Sequence, residues 1–162
     1  MGMDLSIIIV NYKSAALILD CIRSVIAQTT AISYEIIVVD NFSEDNSREL
    51  ITTEFSQVHW IQMTYNAGFA RANNAGMRIA IGDMLLLLNP DTIVLVHALD
   101  TCVRGFRGST HAACGVQLLN PDGSPQLTGF YFMKGGLNHL LPLPYWGAVV
   151  RGLGYALKTK VP

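Results

Sequence analysis

Apolar residues fall along this chain in short dense blocks, separated by stretches in which they recur at helical spacing. Residues 5–10, Leu-Ser-Ile-Ile-Ile-Val, form the first block. Its β-branched character predicts a strand buried on both faces, as in a parallel sheet. Ser14 predicts a helix N-cap, and Leu17, Cys21, Ile22, Val25 and Ile26 continue at helical spacing to about Gln28. Residues 34–40 predict a second buried strand, ending on Asp40. A polar turn over 41–45 leads to a helix over about 46–55, and 58–62 predicts a shorter strand. Asn66, Ala67, Gly68 and Phe69 read as a loop that opens a helix running to about Ile81. Residues 84–88 form a very apolar strand stopped by Asn89, Pro90 and Asp91. A helix over 95–106, a strand-like stretch over 112–119, a turn at 120–123 and a returning hairpin arm over 124–128 complete the series.

Strands alternating with helices predict an α/β fold of Rossmann-like type, a mostly parallel sheet with helices on both faces. There is no internal repeat. The alternation ends near Tyr131, and the remainder of the chain is rich in Gly, Pro and Leu. The expected organisation is a domain over 1–130 and an apolar tail over 131–162, either packed on the domain or opening an acceptor- or membrane-facing region. Half of the 162 residues (51%) are apolar, which supports a real core and rules out a disordered chain. The net charge of −1 gives no basic footprint, so no nucleic-acid partner is expected. Cys21, Cys102 and Cys114 show neither disulfide nor zinc spacing and read as buried thiols of a reducing cytoplasm. Residues 1–4 lack the basic stretch of a signal peptide, and no run reaches the roughly 20 apolar residues of a membrane span.

In open α/β sheets, ligands bind beyond the carboxyl ends of the strands, so the residues just after each strand carry the candidate chemistry. Asn11 and Tyr12 stand after the first; an amide can meet a base edge and a phenol ring can lie against a base, although taken alone an ordinary turn with a rim aromatic explains them better. Asp40 and Asn41 stand after the second, where an acid can accept from a base or ribose or simply brace its own turn. After the third come Asn66, Gly68, Phe69, Asn73 and Asn74; Gly68 permits a positive φ, and asparagine in a helix beside small residues suggests a pocket-lining face. A diphosphate could sit at that helix's N-terminus. Asn89 and Asp91 stand after the fourth, and an acid there can hold Mg²⁺ or Mn²⁺ together with substrate phosphates. Each signal is weak alone. Their succession along one rim reads as a nucleotide-diphosphate site with a divalent ion.

The ordered set Ser6-Ile7-Ile8-Ile9-Val10-Asn11-Tyr12, Ile36-Ile37-Val38-Val39-Asp40-Asn41-Phe42-Ser43, Asn66-Ala67-Gly68-Phe69-Ala70-Arg71-Ala72-Asn73-Asn74 and Leu85-Leu86-Leu87-Leu88-Asn89-Pro90-Asp91-Thr92 resembles family 2 glycosyltransferases. The branch it looks most like is that of the bacterial rhamnosyltransferase-like enzymes of cell-surface polysaccharide assembly, and the resemblance covers about 5–128. It implies a GT-A fold and inverting transfer from a UDP- or dTDP-sugar to a polysaccharide or lipid-linked acceptor. By the family pattern, Asn11, Tyr12 and Asp40 contact the nucleoside, and Asn66, Gly68 and Asn73 line the nucleotide and phosphate region. Asn41, Phe69 and Asn89 complete the expected donor-binding set. Asp91 is the last residue of the family's acidic metal motif, and Asn89 replaces the motif's first acid, leaving one carboxylate for a Mg²⁺ or Mn²⁺ ion.

The resemblance also implies a catalytic base further along, one that deprotonates the acceptor hydroxyl. No Asp or Glu follows Asp122, and His139 reads as a surface or packing residue. The base is therefore expected beyond Pro162, and the chain by itself is expected to bind donor with little transfer. The expected location is cytoplasmic, with peripheral membrane association of a longer protein and self-association through the apolar residues of 137–157. A noncatalytic nucleotide-sugar-binding module is the alternative. A dinucleotide-dependent oxidoreductase fits poorly, because Asn11-Tyr12-Lys13-Ser14 stands where a Gly-x-Gly-x-x-Gly turn is required.

Overall fold

A computed structural model describes residues 2–126. Its eight elements are, in chain order, β1 (Met3–Asn11), α1 (Ala15–Gln28), β2 (Tyr34–Asp40), α2 (Ser47–Glu54), β3 (His59–Gln62), α3 (Phe69–Met77), β4 (Gly82–Leu88) and α4 (Ala98–Phe106). The strands form one sheet in the order β3-β2-β1-β4, and every pairing is parallel. Helices lie on both faces, as the alternation predicts.

The two central strands are the β-branched blocks. Ile7, Ile8, Ile9, Val38 and Val39 are fully buried because both faces of β1 and β2 are covered. On one face Ile7, Ile9 and Val38 pack with Ile18, Ile22 and Val25 of α1, Ile51 of α2, and Leu99 and Val103 of α4. On the other, Ile8, Val10, Ile37 and Val39 pack with Ala72 of α3. Gly76 lets α3 come this close: a Cβ there would meet Ile8 Cγ2 at 2.6 Å. β4 is equally apolar in sequence, yet it alternates, with Leu85 and Leu87 about half exposed and Leu86 packed on the α1 side. It lies at the edge of the described sheet, where α3 no longer covers the second face.

Several boundaries differ from the sequence expectation. α3 stops at Met77 rather than near Ile81, and α4 starts at Ala98 rather than Leu95, because His97 takes a left-handed φ of 52°. Ser14 does occupy the N-cap position of α1, but its hydroxyl donates to Asn11 Oδ1 instead of capping the helix. The stretch 112–119 forms no strand; only an isolated antiparallel bridge, Leu119 to Pro125, closes the 120–123 turn. Cys114 is consequently exposed and Cys102 only partly buried, so of the three expected buried thiols only Cys21 is one. The hairpin arm beyond Gln126 and the tail over 131–162, with His139 and the self-association surface, lie outside the described residues. All eight elements and the candidate site belong to one compact unit that ends at Cys114.

Candidate functional site

Parallel pairing brings the carboxyl ends of all four strands to one edge, and polar residues begin there. Register places Asn11, Asp40 and Gln62 in a single row across β1, β2 and β3. Side chains join the row: Asn11 Nδ2 donates to Asp40 Oδ1 at 2.6 Å, and Gln62 Nε2 donates to Asp40 Oδ2 at 2.6 Å. Ser43 locks it from above. Its backbone N–H donates to Asp40 Oδ2, and its hydroxyl accepts from Asn11 Nδ2 and the Lys13 N–H. Burial pushes the Asp40 carboxyl up, but the hydrogen bonds from Ser43, Gln62 and Asn11 outweigh it and hold the group below the usual carboxylate range. Lys13, Phe42 and Glu44 take positive φ in the loops around this row. Such backbone is costly for residues with a Cβ and persists where neighbouring contacts fix it.

Asn41 and Asn66 organise the loop before α3. Asn41 Nδ2 donates to Asn66 Oδ1, the Ala67 N–H donates to Asn41 Oδ1, and the Gly68 N–H donates to Asn66 Oδ1. Gly68 then turns into the helix with φ 80°, the positive value for which the sequence singles it out. No side chain caps α3, and its first turn carries no acid. Its leading N–H groups are thus free to meet an anion.

Two clefts adjoin at this edge. The larger, about 420 Å³, is lined by Tyr12, Asn41, Asn66, Gly68, Phe69, Asn89 and Asp91, with Val10, Ser14, Leu17 and Pro90. It gathers seven of the ten residues expected to bind a nucleotide-sugar. Tyr12 and Phe69 expose about half their surface there, and Lys13 Nζ stands 5.6 Å from the Tyr12 ring centroid. Asp91 is exposed at the mouth. Cys21 lies beneath this turn, its thiol 3.8 Å from the Asn89 carbonyl; burial, with the Asp91 charge adding to it, pushes the thiol up to about 12 and leaves it inert. The smaller cleft, about 260 Å³, is lined by Asp40, Phe42, Arg48, Trp60, Gln62 and Met63, among others.

Asn11 and Asn73 do not reach either cleft. Asn11 is fully buried with its whole amide engaged, and Asn73 donates to the Phe69 carbonyl, bracing the first turn of α3. Asp40 reaches the smaller cleft rather than the larger. Two residues at the edge are not legible as site residues from the motifs. Trp60 reads as a packing residue, and Gln62 belongs to no motif; its position at the end of the third strand is the one signal that points to it.

A divalent ion is a limited fit to these residues. Among the described residues no three His, Cys, Asp or Glu side chains gather to hold a metal. Asp91 and Asn89 offer one carboxylate and one amide, so an ion there would take its remaining ligands from the donor's phosphates and water.

The family model of glycosyl transferase family 2 matches residues 6–144. A low-salt glycan biosynthesis hexosyltransferase of Haloferax volcanii, Agl10, is 29% identical over 148 residues, covering 86% of this chain and 46% of that protein. An uncharacterized glycosyltransferase of Nostoc sp. is 37% identical over 110 residues, 66% of this chain and 34% of its own. The chain spans less than half the length of these relatives. Two solved structures share the fold. TarS 1–349 of S. aureus in complex with UDP has a TM-score of 0.59 at 21% identity, covering 65% of this chain and 32% of that one. The mannosyltransferase PcManGT of Pyrobaculum calidifontis, in complex with GDP-Man and Mn²⁺, has a TM-score of 0.60 at 20% identity, covering 75% and 37%.

Proposed function

The chain belongs to glycosyl transferase family 2 with a GT-A fold, and from that premise we propose that its larger cleft holds the donor of a sugar transfer. One observation carries the reading: the uncapped N-terminus of α3 and the Asp91 carboxylate line the same cleft. The helix end attracts a diphosphate and the carboxylate repels it, so the two are compatible with one ligand only when a cation lies between. Asp91, with Asn89 beside it, would hold such a cation, which would supply charge neutralisation to the departing diphosphate. Tyr12 offers a face to the nucleoside, while Asn41 and Asn66 hold the Gly68 turn so that the phosphates can approach backbone N–H groups. Asp40 faces the smaller cleft, where it meets the base of the nucleoside; Asn11 contributes from beneath by fixing Asp40, and Asn73 by stiffening the helix start.

The reaction is displacement of a nucleoside diphosphate from a UDP- or dTDP-sugar by an acceptor hydroxyl, with inversion. The acceptor is a polysaccharide or lipid-linked glycan of a cell-surface polymer. The Asn89-Pro90-Asp91-Thr92 form supports a rhamnosyltransferase-like branch. Relatives named for glycan and polysaccharide synthesis support this class, among them a poly(ribitol-phosphate) beta-glucosyltransferase of Bacillus spizizenii that is 34% identical over 102 residues, 60% of this chain and 16% of that protein. A lipid-linked acceptor would bring the protein to the cytoplasmic face of a membrane; among the described residues no helix is long and apolar enough to cross one.

Calorimetric titration of UDP and dTDP, with and without Mn²⁺, tests this. Wild type is expected to bind more tightly with the ion, and Asp91→Ala to lose that gain, at least about tenfold in Kd. Equal binding by Asp91→Ala, or indifference to Mn²⁺, would exclude a metal-bridged diphosphate.

A further inference from the structure

Asp40 is held by three partners of different kinds. Asn11 and Ser43 are buried and fixed. Gln62 belongs to the edge strand β3, is exposed, and reaches Asp40 Oδ2 across the smaller cleft. Its carboxamide is used at both ends. Nε2 donates to Asp40 at 2.6 Å, and Oε1 accepts from Trp60 Nε1 at 3.2 Å; Nε2 also lies 3.3 Å from the Met63 carbonyl. An N–H facing a carboxylate beside a C=O facing an indole N–H is the pattern that a lactam nucleobase presents, as N3–H with O4 in uracil and thymine or N1–H with O6 in guanine. Cytosine and adenine present a ring nitrogen lone pair there, which the carboxylate would oppose. Phe42, Trp60 and Arg48 supply flat or planar surfaces around the same space.

We infer that the Gln62 side chain is an internal stand-in for the donor's base, occupying the seat between Asp40 and Trp60 until a lactam nucleobase displaces it. Apparent donor affinity is then the intrinsic affinity multiplied by the fraction of molecules in which Gln62 has left the seat. Asp40 and Trp60 select among bases once it leaves. This inference rests on the nucleotide-donor reading, which already names a uracil or thymine base, and adds a self-competing residue to it.

The test is titration of UDP and CDP, with Mn²⁺, into wild type, Gln62→Leu and Gln62→Asn. Both substitutions leave a side chain that cannot bridge Asp40 and Trp60, one apolar and one polar and a methylene shorter. UDP is expected to bind about tenfold more tightly to each variant, the equivalent of one strong hydrogen bond no longer contested. CDP is expected to stay at least tenfold weaker than UDP throughout. Unchanged or weaker UDP binding by both folded variants, or CDP binding equal to UDP, overturns the inference while leaving the donor reading intact. If no nucleotide binds wild type or either variant, both fall together. A third variant, Trp60→Phe in the Gln62→Leu background, is expected to lose part of the gain for UDP, since the indole N–H that would meet the base carbonyl is gone.

Discussion

Asn11→Ala is expected to destabilise the protein by about 3 kcal/mol and to weaken nucleotide binding by more than tenfold. The side chain is fully buried and serves four bonds. It donates to Asp40 Oδ1 at 2.6 Å and Ser43 Oγ at 3.1 Å, and accepts from the Ser14 N–H at 3.2 Å and hydroxyl at 3.0 Å. Alanine leaves those groups without partners and Asp40 with a charge less well compensated in a desolvated place. The loops at Lys13 and Phe42, held at positive φ, lose the contacts that fix them. Urea unfolding and calorimetry measure the two effects. Asn11→Asp separates volume from charge: it fills the space but sets a carboxylate against Asp40, so its destabilisation should be larger at pH 7 than at pH 5. Stability of Asn11→Ala within about 0.5 kcal/mol of wild type, the usual scatter of neutral surface substitutions, would mean the row is not a brace.

Asp100→Ala is expected to cost about as much stability, roughly 3 kcal/mol, yet to leave donor affinity unchanged. Asp100 is fully buried in the first turn of α4, accepting from the N–H groups of Thr30 and Ala31 in the α1–β2 connection, with His97 Nδ1 3.0 Å away. It ties α4 to the end of the sheet opposite the clefts. Burial pushes its carboxyl up, but the His97 side chain and the two backbone N–H groups more than offset this and hold it below the usual carboxylate range. The unfolded chain therefore takes up this proton at higher pH than the folded one, so stability rises with pH across the interval. The contribution is complete above the ordinary value of 3.8 and is lost as pH falls through the depressed one. Asp4 adds to the same acid limb: hydrogen bonds from Ser33 and Arg107 lower its carboxyl to about 2. Unfolding curves from about pH 6 to pH 2 should steepen below about 4 in wild type and flatten in Asp100→Ala. A parallel decline in both proteins would remove Asp100 from the acid response.

The β-branched blocks at 5–10 and 34–40 determined the central strands, because continuous apolar runs are stable only where both faces are covered. The alternation of these blocks with helical spacing determined the α/β class and the edge at which polar strand ends gather. The ordered motifs determined the family. Gly68 was legible since no other residue takes φ 80° so readily. The tertiary structure alone decided which polar residues face outward. Asn11 and Tyr12 are neighbours in sequence, yet one is sealed under Asp40 and the other exposes half its surface, because β1 ends at Asn11, whose amide is held by Asp40 and Ser43 from the β2 side, while Tyr12 begins the loop that leaves the sheet. Only strand register set Gln62 beside Asp40, 22 positions away in the chain. The absence of a strand over 112–119 was equally beyond local pattern, for an apolar run becomes a strand only when a neighbour offers its edge, and propensity carries no information about that neighbour.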